Sequence, residues 1–338
     1  MPATLRDVAR LSGVSISTAS NVMNEVPKVA AATVAKVRSV ARVLDYHPNR
    51  AARSLRGSRT GLISLVIPEL DEAYFATLAD DVIDAASQRG FEVITVQTNR
   101  ERQRELEAAH GVRRAMTDGL IIFPVAITED DVPLMRAAGP TVMLREDLGT
   151  AEVDHVTEQD REAARVATRE LLSLGHRRIA ILGAGAPAPD HAGSSRVEGY
   201  RQALTEHSVP FEGSLLQRAT LGNRDEGEAG AVSLLDRHPD ITAVFALNDS
   251  LAIGAMRGLR RRGLRVPQDV SVLGWDDVEE GRYHWPQLSS VDGGARQQAS
   301  FAVDALIRRI EDPHAPIQRL ETSFRIVMRD STGSVEAR

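Results

Sequence analysis

Leu5-Arg6-Asp7-Val8-Ala9-Arg10-Leu11-Ser12-Gly13-Val14-Ser15-Ile16-Ser17-Thr18-Ala19-Ser20-Asn21-Val22-Met23-Asn24 decides how the rest of the chain is read. Leu5, Val8, Ala9 and Leu11 give a first helix an apolar face, and Gly13 permits a tight turn. Val14, Ala19 and Val22 then turn a second, short helix toward the first, so the order predicts a helix-turn-helix. Ser15 stands where an N-cap belongs, its hydroxyl able to accept from a free backbone N–H of the second helix. Ile16, Ser17, Ser20 and Asn21 remain for the outer face, near the helix end that enters a major groove, with Thr4, Ser15, Thr18 and Asn24 completing the expected contacts.

A third helical pattern runs from Ala31 to Leu44, with Val34, Val37, Ala41 and Leu44 on one stripe and Lys36, Arg38 and Arg42 outside it. Asp45-Tyr46-His47-Pro48 ends it, because the residue before a proline is pushed out of the α region, and Asn49 can cap a short new helix. Charge follows the same boundary. Residues 1–60 carry +7, leaving −13 on the remainder of a chain whose formal charge is −6. A basic head is the footprint of phosphate contacts, while an acidic body limits indiscriminate adhesion to a polyanion.

The 338 residues suffice for a head and a body with full cores, and with no cysteine disulfides play no part. No apolar run reaches the length of a bilayer span, and Met1-Pro2-Ala3-Thr4 leads into an amphipathic helix instead of a secretion signal. A cytoplasmic protein without a membrane partner is expected. After Thr60 apolar runs alternate with amphipathic stretches. Strands are expected at 62–67, 91–96, 119–123, 141–144, 178–182, near 215–220, at 243–247 and at 270–273, with helices between them and a last helix at 295–311. The pattern predicts two α/β lobes, each a doubly wound parallel sheet.

Taken together, the helix-turn-helix, Asp45-Tyr46-His47-Pro48-Asn49 and Ala51-Ala52-Arg53-Ser54-Leu55-Arg56-Gly57 resemble the start of a LacI/GalR-family transcriptional regulator. The body continues the resemblance through Gly90, Asp118-Gly119-Leu120-Ile121, Leu174-Gly175-His176-Arg177-Arg178-Ile179-Ala180, Arg196-Val197-Glu198-Gly199-Tyr200, Asn248-Asp249, Gly274-Trp275-Asp276-Asp277 and Leu288-Ser289-Ser290-Val291. It implies an all-α helix-turn-helix head at 1–48, a hinge helix and linker at 49–60, and a body at 61–330 made of two lobes resembling type I periplasmic binding proteins, followed by a tail at 331–338. Lobe 1 would take about 61–160 and 291–323, lobe 2 about 161–290 and 324–330, with crossings near 160, 291 and 323.

The resemblance also implies roles. Two hinge helices from a homodimer enter the minor groove of operator DNA, Leu55 wedging between central base pairs while Arg50, Arg53 and Arg56 hold phosphates beside Asn49 and Ala52. Asn21 stands where many members carry arginine, so a shifted operator is expected, with Asn21 suited to adenine and Ile16 to a thymine methyl. Ala30 replaces a common serine cap of the third helix, at a cost in helix stability. The tail carries no leucine heptad, which favours a dimer over a tetramer.

In doubly wound sheets ligands sit at the carboxyl ends of strands. Asp71, Tyr74 and Phe75 follow the first expected strand, Arg145 the fourth, Asn248 and Asp249 the strand at 243–247, and Trp275 and Asp276 the strand at 270–273; Arg196 opens a helix. Carried over from the family, Arg196, Asn248 and Asp276 are the expected effector contacts, a fork, an amide and a carboxylate able to hold vicinal hydroxyls. Arg145, where sugar-responsive relatives often carry an acid, points toward an anionic effector. Tyr74, Phe75, Trp275 and Trp285 suit stacking on a ring or core packing, and Asp249 suits a helix cap as well as a ligand. The effector expected is a sugar, sugar derivative or related metabolite.

Enzyme readings find little support. Gly183-Ala184-Gly185-Ala186-Pro187-Ala188 follows a strand like a dinucleotide fingerprint, but Pro187 and Pro189 spoil the immediate helix start that a pyrophosphate needs. No nucleophile elbow or P-loop is present, and the nine histidines form no i, i+3 or i+4 pair. No catalytic residue, cofactor or metal is expected. The competing reading is a cytoplasmic binding protein or enzyme with a vestigial head.

Overall fold

The computed structural model describes residues 3–23, 29–46, 59–111, 116–144, 152–185 and 192–335, the side chains of 192 and 193 excepted. The chain divides into two compact units, Met1–Thr60 and Gly61–Arg338.

In the first unit α1 (Leu5–Ser12), α2 (Ile16–Met23) and α3 (Ala31–Val43) close on Val8, Ala9, Ala19, Val22, Val37 and Ala41. Thr4 and Asp7 form a reciprocal capping box at the start of α1, and Gly13 ends that helix in the left-handed region at φ 63°. Ser15 Oγ accepts from the Thr18 amide at 3.0 Å, as an N-cap should. One expectation fails inside α1. Leu11 is 51 % exposed and Ser12 is buried, because the face that meets α2 and α3 follows the spacing 5, 8, 9, 12.

Ala30 caps α3 without any side-chain hydrogen bond. Ala30→Ser is expected to stabilise α3 by about 1 kcal/mol. In the full chain this reads as roughly fivefold slower hydrogen exchange at the α3 amides; unaltered exchange would mean that the first N–H groups of α3 are already satisfied.

Among the described residues the second unit holds two six-stranded sheets. The first contains β1 (Leu62–Ile67), β2 (Glu92–Gln97), β3 (Gly119–Ile122), β4 (Thr141–Met143), β5 (Asp154–Thr157) and β11 (Arg319–Glu321), in the order β11-β5-β4-β3-β1-β2. The second contains β6 (Ile179–Ala184), β7 (Leu216–Arg218), β8 (Ala243–Ala246), β9 (Ser271–Trp275), β10 (Ser289–Asp292) and β12 (Arg325–Val327), in the order β12-β10-β9-β8-β6-β7. Pairing is parallel except between β10 and β12, where a strand entering from the last crossing must run back along the edge.

Helices cover both faces of each sheet. In lobe 1, α4 (Ala73–Gln88) and α12 (Ala295–Glu311) bury Leu78, Val82, Val303 and Leu306 against Ile63 and Leu65. On the other face α5 (Arg102–His110) and α6 (Val132–Ala137) bury Ala109 and Met135 against Val66, Leu120 and Ile122. In lobe 2, α7 (Asp160–Ser173) and α8 (Ala192–Glu206) cover Ile181, Phe245 and Trp275, while α9 (Arg224–Arg237) and α10 (Asp249–Arg261) cover Leu182, Val244 and Val272. A short α11 (Glu279–Tyr283) follows β9.

Between β5 and α7, between β10 and α12, and between β11 and β12 the chain passes from one sheet layer to the other. Buried Thr322 ties the three passages together. Its amide donates to Thr157 O at 2.9 Å, its hydroxyl to Gly293 O at 2.6 Å, and its carbonyl accepts from Gln159 Nε2 at 2.8 Å. No helix among the described residues is long and apolar enough to cross a membrane.

Candidate functional site

In the head, Ile16 is 48 % exposed, Ser17 is exposed, and Thr18, Ser20 and Asn21 are half-buried along the same short helix. Ser15 and Thr4 are both occupied as caps, the Ser15 hydroxyl also lying 2.8 Å from Thr18 Oγ1 and the Thr4 hydroxyl donating to Asp7 Oδ2 at 2.6 Å. Asn24, Asn49, Arg50, Ala52, Arg53, Leu55 and Arg56 lie outside the described residues.

Within the body, a cavity of about 230 Å³ opens between the lobes at the carboxyl ends of the strands. Glu72, Tyr74 and Phe75 reach it from the end of β1, Arg100 from the end of β2, Phe123 from β3, Leu144 from β4 and Gln298 from α12. Glu158 and Asp160 enter from the first passage between lobes. Lobe 2 supplies Gly183, Arg196, the loop 219–222, Leu247, Asn248, Leu251 and Asp276.

Arg196 is the centre of the polar half. Its Nε donates to Asp160 Oδ1 at 2.6 Å and its Nη1 to Leu247 O at 2.6 Å, while Nη2 lies 3.5 Å from Glu158 Oε2. The guanidinium lies 3.9 Å above the Trp275 ring, adding a cation–π contact to two ion pairs. Tyr74 points the other way across the same acid. Its hydroxyl is 3.0 Å from Glu158 Oε1 and 2.9 Å from Gln298 Oε1, and one phenolic proton serves one of them at a time. Burial, then the neighbouring Asp160, pushes the Glu158 carboxyl up, against Arg196 which lowers it.

Asn248 does two tasks. Its Oδ1 accepts from the Leu251 amide at 2.7 Å and caps α10, while its Nδ2 donates to Gly222 O at 2.9 Å and Glu72 Oε1 at 3.3 Å, linking the two lobes. Arg100 makes the second link, donating to Glu69 and Glu72 in its own lobe at 3.1 and 3.0 Å and to Leu221 O at 3.4 Å. Burial pushes the Glu72 carboxyl up to about 7, Arg100 opposing it.

Among the residues singled out from sequence, Tyr74, Phe75, Arg196, Asn248 and Asp276 therefore line one cavity. Asp71 does not: it is exposed and outside the lining. Trp275 is fully buried and meets the cavity through Arg196, having packed 6.3 Å from the Phe245 ring. Trp285 is 84 % exposed beside a separate groove with Ile253 and Met256, since its loop follows α11 away from the strand ends. Asp249 is a tie between elements, accepting from the Val278 amide at 2.9 Å and Ser290 Oγ at 2.7 Å, and the α10 cap is Asn248. Arg145 and the 186–191 loop lie outside the described residues. Glu72, Arg100, Glu158, Asp160 and Gln298 were missed.

Residues 4–49 match the model of bacterial regulatory proteins of the lacI family, and residues 168–332 that of a periplasmic binding protein-like domain. The transcriptional regulator DegA of Bacillus subtilis is 32 % identical over 296 residues, 86 % of each chain. A LacI-family structure from Sanguibacter keddieii is 42 % identical with a TM-score of 0.76, over 82 % of this chain and all of that one. The lac repressor dimer bound to operator and the anti-inducer ONPF is 27 % identical with a TM-score of 0.83, over 99 % of this chain and 100 % of that one. A head whose described residues form three helices, the second of them exposed, joined in sequence to a two-lobed body with a polar cleft at its strand ends, agrees with these matches: the chain belongs to the LacI family of bacterial regulatory proteins.

Proposed function

We propose that the protein is a ligand-responsive transcriptional regulator, most simply a repressor, that binds a two-fold operator as a homodimer in the cytoplasm and catalyses no reaction. The observation that carries this reading is the interlobe cleft, in which side chains of both lobes and of the passage between them converge on one cavity. The similarity to a repressor dimer carrying both operator and small molecule supports it. An effector held there favours one relative lobe orientation, and the difference in its affinity for the two orientations is the coupling free energy available to the operator. In the head, Ile16, Ser17 and Asn21 take the base-reading role, and Leu55 the minor-groove wedge.

Fluorescence anisotropy with genomic fragments tests the reading. Sequence-selective binding that weakens steeply with salt is expected, and its absence would remove the regulator function. With a selected operator, Leu55→Ala should weaken binding at least tenfold while leaving the melting temperature of the body unchanged; equal operator affinity would refute the wedge.

A further inference from the structure

The ligand's charge can be read from what the cleft leaves unsatisfied, given that the cleft is the effector site. Four carboxylates line it, Glu72, Glu158, Asp160 and Asp276, against two arginines among the described residues. Both arginines are already held. Arg196 is taken by Asp160, Glu158, the Leu247 carbonyl and the Trp275 face, and Arg100 by Glu69, Glu72 and the Leu221 carbonyl. A carboxylate or phosphate ligand would have to break these pairs and then face the remaining acids.

Asp276 is different from the other three acids. No described residue donates a hydrogen bond to its carboxylate, although it lines the cavity and stands at φ 106°, a backbone conformation that costs an L residue energy. Burial, opposed by Arg196 and reinforced by Asp249, Glu158 and Glu72, pushes its carboxyl well above the usual range. A positive charge beside it would reverse that cost.

The same cavity also carries an aromatic wall. Tyr74, Phe75 and Phe123 meet edge to face, with centroids 5.2, 6.1 and 5.0 Å apart, and all three line the cavity. Carboxylates and ring π-density lining one cavity are the two elements that recognise an organic ammonium.

We propose that this cleft selects a small hydroxylated ligand bearing one protonated amine, its cation held by Asp276 together with Glu158 against the Tyr74–Phe75–Phe123 wall. The inference rests on the regulator reading only in calling the cleft the effector site. It departs from the anionic effector that Arg145 suggested.

Calorimetry on the full chain at pH 6.5 and low salt, with two matched sets of probes, tests it: glucosamine, glucose and glucuronate, then galactosamine, galactose and galacturonate. At least one amine should bind tenfold or more tightly than its neutral and acidic counterparts, and lose affinity as salt rises. Asp276→Asn, with the parent's melting temperature, should weaken that amine at least tenfold more than it weakens the neutral probe, and equal losses for the two would overturn the assignment. Should Asp276→Asn fold poorly, the salt dependence of the parent carries the same decision. Equal or tighter binding of a neutral or acidic probe, or no binding by either amine, overturns the charge assignment. Operator binding, measured by anisotropy on the same preparation, stands or falls separately, so loss of the regulator reading is distinguishable from loss of this one.

Discussion

Arg196→Met is expected to lower the melting temperature of the body by on the order of 10 °C and to abolish ligand binding in the cleft. The side chains of Arg196, Asp160 and Glu158 are 14, 6 and 8 % exposed, so the arginine compensates two acids that water barely reaches. Removing one partner of such a set costs about 3–5 kcal/mol, because it leaves uncompensated buried charge. For a unit of this size each kcal/mol moves the midpoint by roughly 2–4 °C. Methionine keeps much of the volume over Trp275, so the loss is electrostatic before it is steric. The pH dependence has a definite sign. Without the guanidinium that lowers it, the Glu158 carboxyl rises further, and an acid with a raised folded-state pKa adds stability below its unfolded value and loses it as pH climbs through the folded one. The deficit against the parent should therefore be larger at pH 8 than at pH 5. Calorimetric melts at both pH values check this. A variant melting within 2 °C of the parent, or a deficit that grows on acidification, would show that Arg196 does not hold these acids.

How much of this centre was legible depends on which strands announce themselves. β1 reads as a strand from its own composition, since Ile63, Leu65, Val66 and Ile67 are all buried. Applying the strand-end rule to it pointed at Tyr74 and Phe75. β5 reads Asp154-His155-Val156-Thr157, and its burial comes from partners elsewhere, above all Arg308 and Arg309 on Asp154. The same rule applied there would have found Glu158, but nothing local signals the strand. β10 and β11 are equally short and polar, β12 is only three residues long, and all of them pair with residues that arrive from distant parts of the chain.

Aromatics show a second limit. Trp275 and Trp285 are ten residues apart in sequence and alike in type, yet one is fully buried beneath a guanidinium and the other 84 % exposed. Apolarity near a strand end does not specify which side of the loop a ring takes. Leu11 fails in the same way within a helix: a single apolar residue beside the true stripe is indistinguishable from it until the packing partners are known. Asn248 is the converse case. Its position was legible, but not that one amide both starts a helix and links the lobes.

That helix start depends on a close crossing, and here a second large effect is expected: Gly254→Val should prevent lobe 2 from folding stably, while Gly213→Ala leaves it intact. A Cβ on Gly254 would lie 2.0 Å from Arg224 O and 2.9 Å from the Glu228 nitrogen, and one on Gly227 only 2.3 Å from Leu251 O. Helices α9 and α10 thus meet backbone to backbone, with Gly254 and Gly258 four residues apart on the contacting face. Backbone cannot rotate aside as a side chain can. Overpacking a well-filled core typically costs about 1–3 kcal/mol, and more where no rotamer relieves it, which exceeds the roughly 1 kcal/mol that replacing a helical glycine returns in propensity. Gly254→Ala should follow Gly254→Val in severity, and Gly258→Ala, with 2.9 Å to Glu228 O, should be milder than either. Gly213 has nothing within 4 Å of its Cβ position and supplies the neutral control. The crossing also places the site. α9 begins just after Gly222 and α10 just after Asn248, and the Asn248 Nδ2 to Gly222 O bond joins the two starts at the cleft. Forcing the helices apart stretches that bond, so ligand affinity should fall in the same order as stability. Melting and calorimetry across the four variants would measure both, and a folded Gly254→Val body with the parent's midpoint would exclude the crossing as the support of the cleft wall.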